Sequence, residues 1–121
     1  MITNVKFVSV PTSDQDRALA FYTEKLGFKL ITDQPFDAKQ RWIELRVGTA
    51  DTRFVLFTAK DGPQPGSSFS GALACDNVQR TYEELKARGV EFLAEPQTQP
   101  WGTFVVMKDV DGNQFVLSSR A

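Results

Sequence analysis

The chemistry open to this chain is bounded first by what its titratable residues lack. None of the 121 residues is a histidine, which removes imidazole acid–base catalysis and the commonest transition-metal ligand together. The single cysteine, Cys75, cannot form an internal disulfide and has no histidine to activate it, so it reads as a small core residue. Asp109, Asp111 and Asn113 are spaced like the opening of a calcium loop. The glycine stands fourth in that run rather than sixth, and no bidentate glutamate follows where one is needed, so a turn accounts for them. What remains is Trp42, with Arg41 and Glu44 beside it, and Trp101 between Pro100 and Gly102. Arg41 could bind an anionic group, and Glu44 could act as a base or pair with a cation. The bland alternative for both is a solvated strand residue. The two indoles are the largest flat apolar surfaces in the chain.

The elements that would position these residues can be read from periodicity and punctuation. Residues 4–10 are rich in β-branched and aromatic side chains and stop at Pro11, as a strand does. Ser13 or Asp14 then caps a helix running to about Leu26. Its stripe is Leu19, Tyr22 and Leu26, widened by Ala18 and Phe21 and closed by Gly27. Strands are expected at 28–32, 41–47 and 53–58, with a polar loop at 33–39. Residues 60–68, holding Gly62, Pro63, Pro65 and Gly66, are linker-like. After them the order repeats. A strand at 69–75 leads to a cap at Asp76 or Asn77 and a helix to Arg88 with Val78, Tyr82 and Leu85 inward. Gly89 ends it, and a strand at 90–93 and a loop at 97–100 follow. Last comes a hairpin, 103–107 and 114–119, turned on Asp111-Gly112, a strong tight-turn signal. Asp14 and Gly27 recur at one offset as Asp76 and Gly89. Two copies of strand–helix–strand–strand–strand, at 1–60 and 68–121 around a linker at 61–67, give one α+β domain.

Bulk composition excludes other classes. With 41% apolar and 24% charged residues and a net charge of −1, the chain has the balance of a globular domain. It lacks the basic surplus of a nucleic-acid binder. No apolar run is long enough to span a membrane, and Met1-Ile2-Thr3 does not begin a signal peptide. A cytoplasmic location is expected.

The segments VPTSDQDRALAFYTEKLGF and ACDNVQRTYEELKARGVEF, with PWGTF and DVDGNQFVL near the end, resemble the vicinal oxygen chelate superfamily. That superfamily contains glyoxalase I, the bleomycin-resistance proteins and the extradiol dioxygenases. The resemblance spans nearly the whole chain and implies two βαβββ modules curved into a mixed-sheet cup, commonly completed by a homodimer. In metal-dependent members four ligands, usually His or Glu, reach into the cup. Carried over by local spacing, these positions are Phe7, Leu56, Ser70 and Val116. Three apolar residues and a neutral hydroxyl cannot hold a divalent transition metal, and Glu44 and Cys75 are the nearest substitutes. The resemblance therefore implies a protein without metal or other cofactor, like the resistance proteins that hold flat aromatic drugs against aromatic side chains. Phe7, Trp42, Glu44, Leu56, Ser70, Trp101 and Val116 are the expected ligand contacts. The expected function is sequestration of a small aromatic or amphipathic molecule. The alternative is a glyoxalase- or lyase-type enzyme, metal-free or with a relocated metal.

Overall fold

The computed structural model describes residues 1–38, 40–58, 64–66 and 70–120. Each half of the chain builds one sheet of the same design. In the first, β1 (Phe7–Pro11), β2 (Lys29–Pro35), β3 (Arg41–Arg46) and β4 (Arg53–Phe57) lie in the order β1-β4-β3-β2. In the second, β5 (Ser70–Ala74), β6 (Glu91–Phe92), β8 (Gly102–Lys108) and β9 (Gln114–Arg120) lie in the order β5-β9-β8-β6, with a short β7 (Gln97–Gln99) also on β8. In each, the first strand runs parallel to the last, as it must when a helix carries the chain across the sheet before the strands return. This is the expected α+β architecture of two βαβββ modules.

The helices start where the sequence places them. Asp14 accepts from the Arg17 amide at 3.1 Å, and Asn77, rather than Asp76, does the same for Arg80 at the head of α2 (Val78–Ala87). The first helix departs from expectation. Helix α1 (Gln15–Ala20) widens into a π-helical stretch over Phe21–Lys25. Gly27 and Gly89, both at positive φ, close the two helical segments.

Two other expectations change. Asp33–Pro35, expected in a loop, continue β2 against Arg41–Ile43. Gln97–Gln99, also expected as loop, pair with β8. Strand geometry there rests on backbone pairing that side-chain alternation does not signal. Most of the expected linker lies outside the described residues. Gly102 sits at φ +151°, where a side chain would collide with the Ser119 carbonyl, so the strand pairing at that point requires glycine.

One core joins the halves. Val10, Ile43, Leu45, Phe54 and Leu56 of the first sheet pack in one cluster with Val105, Met107, Phe115 and Leu117 of the second, and both helices contribute to it. Aromatic rings cross the boundary: Phe54 stacks on Phe115 at 5.7 Å, and Tyr22 meets Phe28, Phe54 and Phe115 at 5.6, 6.0 and 6.3 Å. No described helix is long and apolar enough to cross a membrane.

The connection at 109–113 does more than turn the chain. Asp109 and Asn113 are buried, and Asp109 accepts from the amides of Asp111 and Asn113 at 2.9 Å each. Asn113 donates to Asp109 and to the Pro11 carbonyl, both at 2.8 Å, and accepts from the Gly66 amide at 2.9 Å. Asp111 accepts from the Thr12 hydroxyl at 2.6 Å and from the Ser13 amide and hydroxyl at 3.0 and 2.8 Å. Tyr22 donates its hydroxyl to Asp109. The loop pins the second hairpin to the β1–α1 corner.

Replacing Asn113 by Ala strands the Pro11 carbonyl and the Gly66 amide without partners inside the protein. A loss of about 3 kcal/mol is expected in urea unfolding; an unchanged midpoint would remove the loop from the stabilising framework. Burial, and then the Asp109 carboxylate, push the Tyr22 phenol far above its ordinary range. The folded state therefore keeps a proton that the unfolded state releases near pH 10. Stability is full below about pH 10 and falls as pH rises beyond it. Absorbance at 295 nm should show Tyr22 ionising only together with loss of the fold.

Candidate functional site

Strand alternation leaves each sheet with one face in the shared core and one face free. In the first sheet Ile43, Leu45, Phe54 and Leu56 face the core. Phe7, Ser9, Trp42, Glu44, Arg46, Arg53, Val55 and Phe57 alternate with core residues and lie on the other side. Trp42 is the hub of a ring cluster there. Its centroid is 5.5 Å from Phe7, 5.7 Å from Phe36 and 6.0 Å from Phe57, and Phe36 also meets Phe57 at 5.7 Å. These rings are incompletely covered: Phe7 is 36% and Phe36 55% exposed. Such edge-to-face groupings leave flat surface on which a planar molecule can stack.

Two polar groups sit among the rings. Glu44 takes the Trp42 indole N–H at 2.9 Å, which fixes the ring plane, and lies 3.7 Å from the Arg53 guanidinium. Both charged side chains are part-buried, at 24% and 30% exposure. Glu44 is thus engaged on both sides and acts here as the anchor of an indole.

The second sheet repeats the pattern. Val105, Met107, Phe115 and Leu117 face the core, so Ser70, Ala72 and Ala74 of β5, Phe104 and Val106 of β8, and Val116 and Ser118 of β9 lie on the free side. Trp101 is 59% exposed and stacks on Phe104 at 5.7 Å.

The expected contacts therefore separate. Phe7, Trp42 and Glu44 come together on the first sheet; Ser70 and Val116 share the free face of the second, with Trp101 against Phe104 at its margin. Leu56 does not belong with them. It is fully buried in the core, because side chains along a strand alternate between faces and local spacing does not fix which face a residue takes. Arg41 points away from Trp42: it pairs with Asp16 at 2.7 Å and Asp33 at 3.0 Å on the helix side, and those carboxylates hold its guanidinium above its ordinary range. Cys75 packs against the core, where burial pushes its thiol up. Phe36, Phe57, Phe104 and Arg53 were not singled out by sequence; for Phe57 and Arg53, period-two counting from Val55 is the signal that would have found them.

A divalent metal does not fit the four positions carried over from the resemblance. Phe7, Leu56 and Val116 offer no donor atom, Leu56 is inside the core, and Ser70 offers one neutral hydroxyl. Among the described residues no group of three or more Cys, Asp or Glu side chains converges elsewhere.

Residues 4–117 match the family model of the glyoxalase/bleomycin resistance protein/dioxygenase superfamily. The chain is similar to the uncharacterized protein YetH of Bacillus subtilis, at 40% identity over 97% of this chain and 98% of that protein. Among solved structures it is similar to TnmS3, an antibiotic binding protein from Streptomyces sp. CB03234, with a TM-score of 0.89, 37% identity, and 99% and 98% of the two chains covered. A glyoxalase/bleomycin resistance protein from the same Streptomyces strain matches with a TM-score of 0.81 and 38% identity over 96% of this chain and 99% of that one.

The placement of Leu56 is open to direct test. Leu56→Ala should cost about 3 kcal/mol in urea unfolding, as a cavity in a packed core does. Trp101→Ala, at an exposed ring, should cost under about 1 kcal/mol. Equal costs would contradict the assignment of faces.

Proposed function

The chain belongs to the glyoxalase/bleomycin resistance protein/dioxygenase superfamily, and from that premise we propose that it binds and sequesters a small planar aromatic molecule. The observation that carries the reading is the cluster of Phe7, Phe36, Trp42 and Phe57 on the free face of the first sheet. A similar protein of known structure is an antibiotic binding protein, which supports a planar antibiotic as the class to test first. The mechanism is retention. Rings already packed edge-to-face and an indole fixed by Glu44 lose little freedom when a flat ligand arrives, so more of the stacking energy appears as affinity.

A homodimer completes the site. The aromatic face of the first sheet and the Trp101–Phe104 face of the second both lie on the sides of their sheets away from the shared core. One chain folded around that core presents two separate walls. A second copy supplies the opposite wall to each, giving two enclosed cups with apolar lining, the usual setting for a small-molecule site. The protein acts in the cytoplasm, with no metal or other cofactor, and the small molecule and the second copy are its partners.

Mixing the protein with bleomycin-like and planar aromatic antibiotics should quench tryptophan fluorescence, and expression should raise resistance to those that bind. Trp42→Ala should weaken binding about tenfold or more, equivalent to ~1.4 kcal/mol of lost stacking. A broad panel without binding overturns the reading. Sedimentation should give twice the 13.5 kDa chain mass. Elemental analysis of protein purified without chelators separates this reading from a lyase-type enzyme: stoichiometric Ni, Zn, Fe or Mn surviving dialysis would replace sequestration with catalysis.

A further inference from the structure

The strand register sorts the free face of the first sheet into chemically different rows. Lys29, Arg46, Arg53 and Phe7 are successive partners across β2, β3, β4 and β1. Thr32, Glu44, Val55 and Ser9 form the next row on the same face. The row beyond holds Gln34 beside Trp42, and Phe57 beside Pro11. Three cations therefore line one end of the face and the rings the other. Phe7 bridges them, standing in the cationic row with its ring against Trp42.

A row of like charges on neighbouring strands is unfavourable by itself, and a chain of net charge −1 has no general surplus of cations to explain it. Neutralisation from within is partial: Glu44 pairs with Arg53 at 3.7 Å and reaches neither of the other two cations. Among the described residues no carboxylate comes within ion-pair distance of Lys29 or Arg46. Arg46 and Arg53 also line a cleft of about 290 Å³ at the β3–β4 turn, together with Thr49 and Asp51. Asp51 tempers the positive potential there, and Arg46 and Arg53 share the lining of this one small polar space.

We infer that the molecule held on the aromatic face carries an anionic substituent, a carboxylate, sulfonate or phosphate, received by Arg53 and Arg46 at the β3–β4 end. This rests on the aromatic face being the ligand site. The planar fork of arginine matches two oxygens of such a group at once, while the rings hold the flat body of the ligand. Glu44 sets the selectivity: its carboxylate offsets part of the Arg53 charge and repels an incoming anion.

The test compares anthraquinone-2-carboxylate with anthraquinone-2-carboxamide, which share a ring system and differ in charge, by calorimetric titration of the full chain. The carboxylate should bind at least about tenfold more tightly. Arg53→Gln combined with Arg46→Gln should bring the ratio of the two affinities close to one, and Glu44→Gln should raise it. In the unmodified protein, raising salt from about 20 to about 500 mM should weaken the carboxylate severalfold more than the amide; this readout requires no variant to fold. Equal affinity for the two compounds in the unmodified protein, or a preference that survives loss of both arginines, overturns the anionic assignment while leaving the aromatic site standing. If neither compound binds and Trp42→Ala changes nothing, the aromatic site falls and this assignment falls with it.

Discussion

The side-chain amide of Asn113 donates at once to its own loop, at Asp109, and to the carbonyl of Pro11, which lies 102 residues earlier in the chain. Asn113 is fully buried, so each of these groups would be costly to leave unpaired. Asp111 extends the same joint to Thr12 and Ser13, and to Arg17 at 3.5 Å. The end of β1 and the start of α1 in one half are thereby registered against the β8–β9 connection in the other. The shared core supplies most of the apolar burial. Its packing alone would tolerate small slips of one sheet over the other, because burial has no direction. Directional hydrogen bonds at the rim of that core remove this freedom.

Once the two sheets share a core, their opposite faces become the functional question. A sheet has two faces, and a domain of this size covers only one of each. On the first sheet the uncovered side carries four aromatic rings around Trp42, together with Glu44, Arg46 and Arg53. On the second it carries Trp101 against Phe104, with Val106 and Val116 on neighbouring strands. Incompletely buried apolar groupings of this kind are where soluble proteins meet ligands or partners.

The fold keeps the architecture of the superfamily, and the positions carried over from the resemblance, Phe7, Leu56, Ser70 and Val116, offer no donor set for a divalent metal. Phe7 is one of these, and its ring is part of the cluster on Trp42. Glu44, on the same face, accepts from the Trp42 indole with one oxygen and lies 3.7 Å from Arg53 with the other.

The sequence by itself determined the fold class, the two helices to within a residue of their caps, the family and the absence of imidazole chemistry. These depend on local composition and on periods of two and 3.6, which survive small errors of boundary. It also singled out Trp42, Glu44 and Phe7. Only the tertiary structure decided which residues share a face. Leu56 was expected on the cup wall and lies in the core, because a strand's side chains reverse with every residue and local spacing does not fix which face a residue takes. Asp109, Asp111 and Asn113 were read as a turn, which is true locally, yet their partners Pro11, Thr12 and Ser13 lie in the other half of the chain. No local rule reports a bond across so long a separation. Arg41 and Arg53 mark the same limit. Both are arginines at the first position of a strand of one sheet, and only their neighbours in space distinguish them: Arg41 pairs with Asp16 and Asp33 on the helix side, and Arg53 with Glu44 beside Trp42 on the other face.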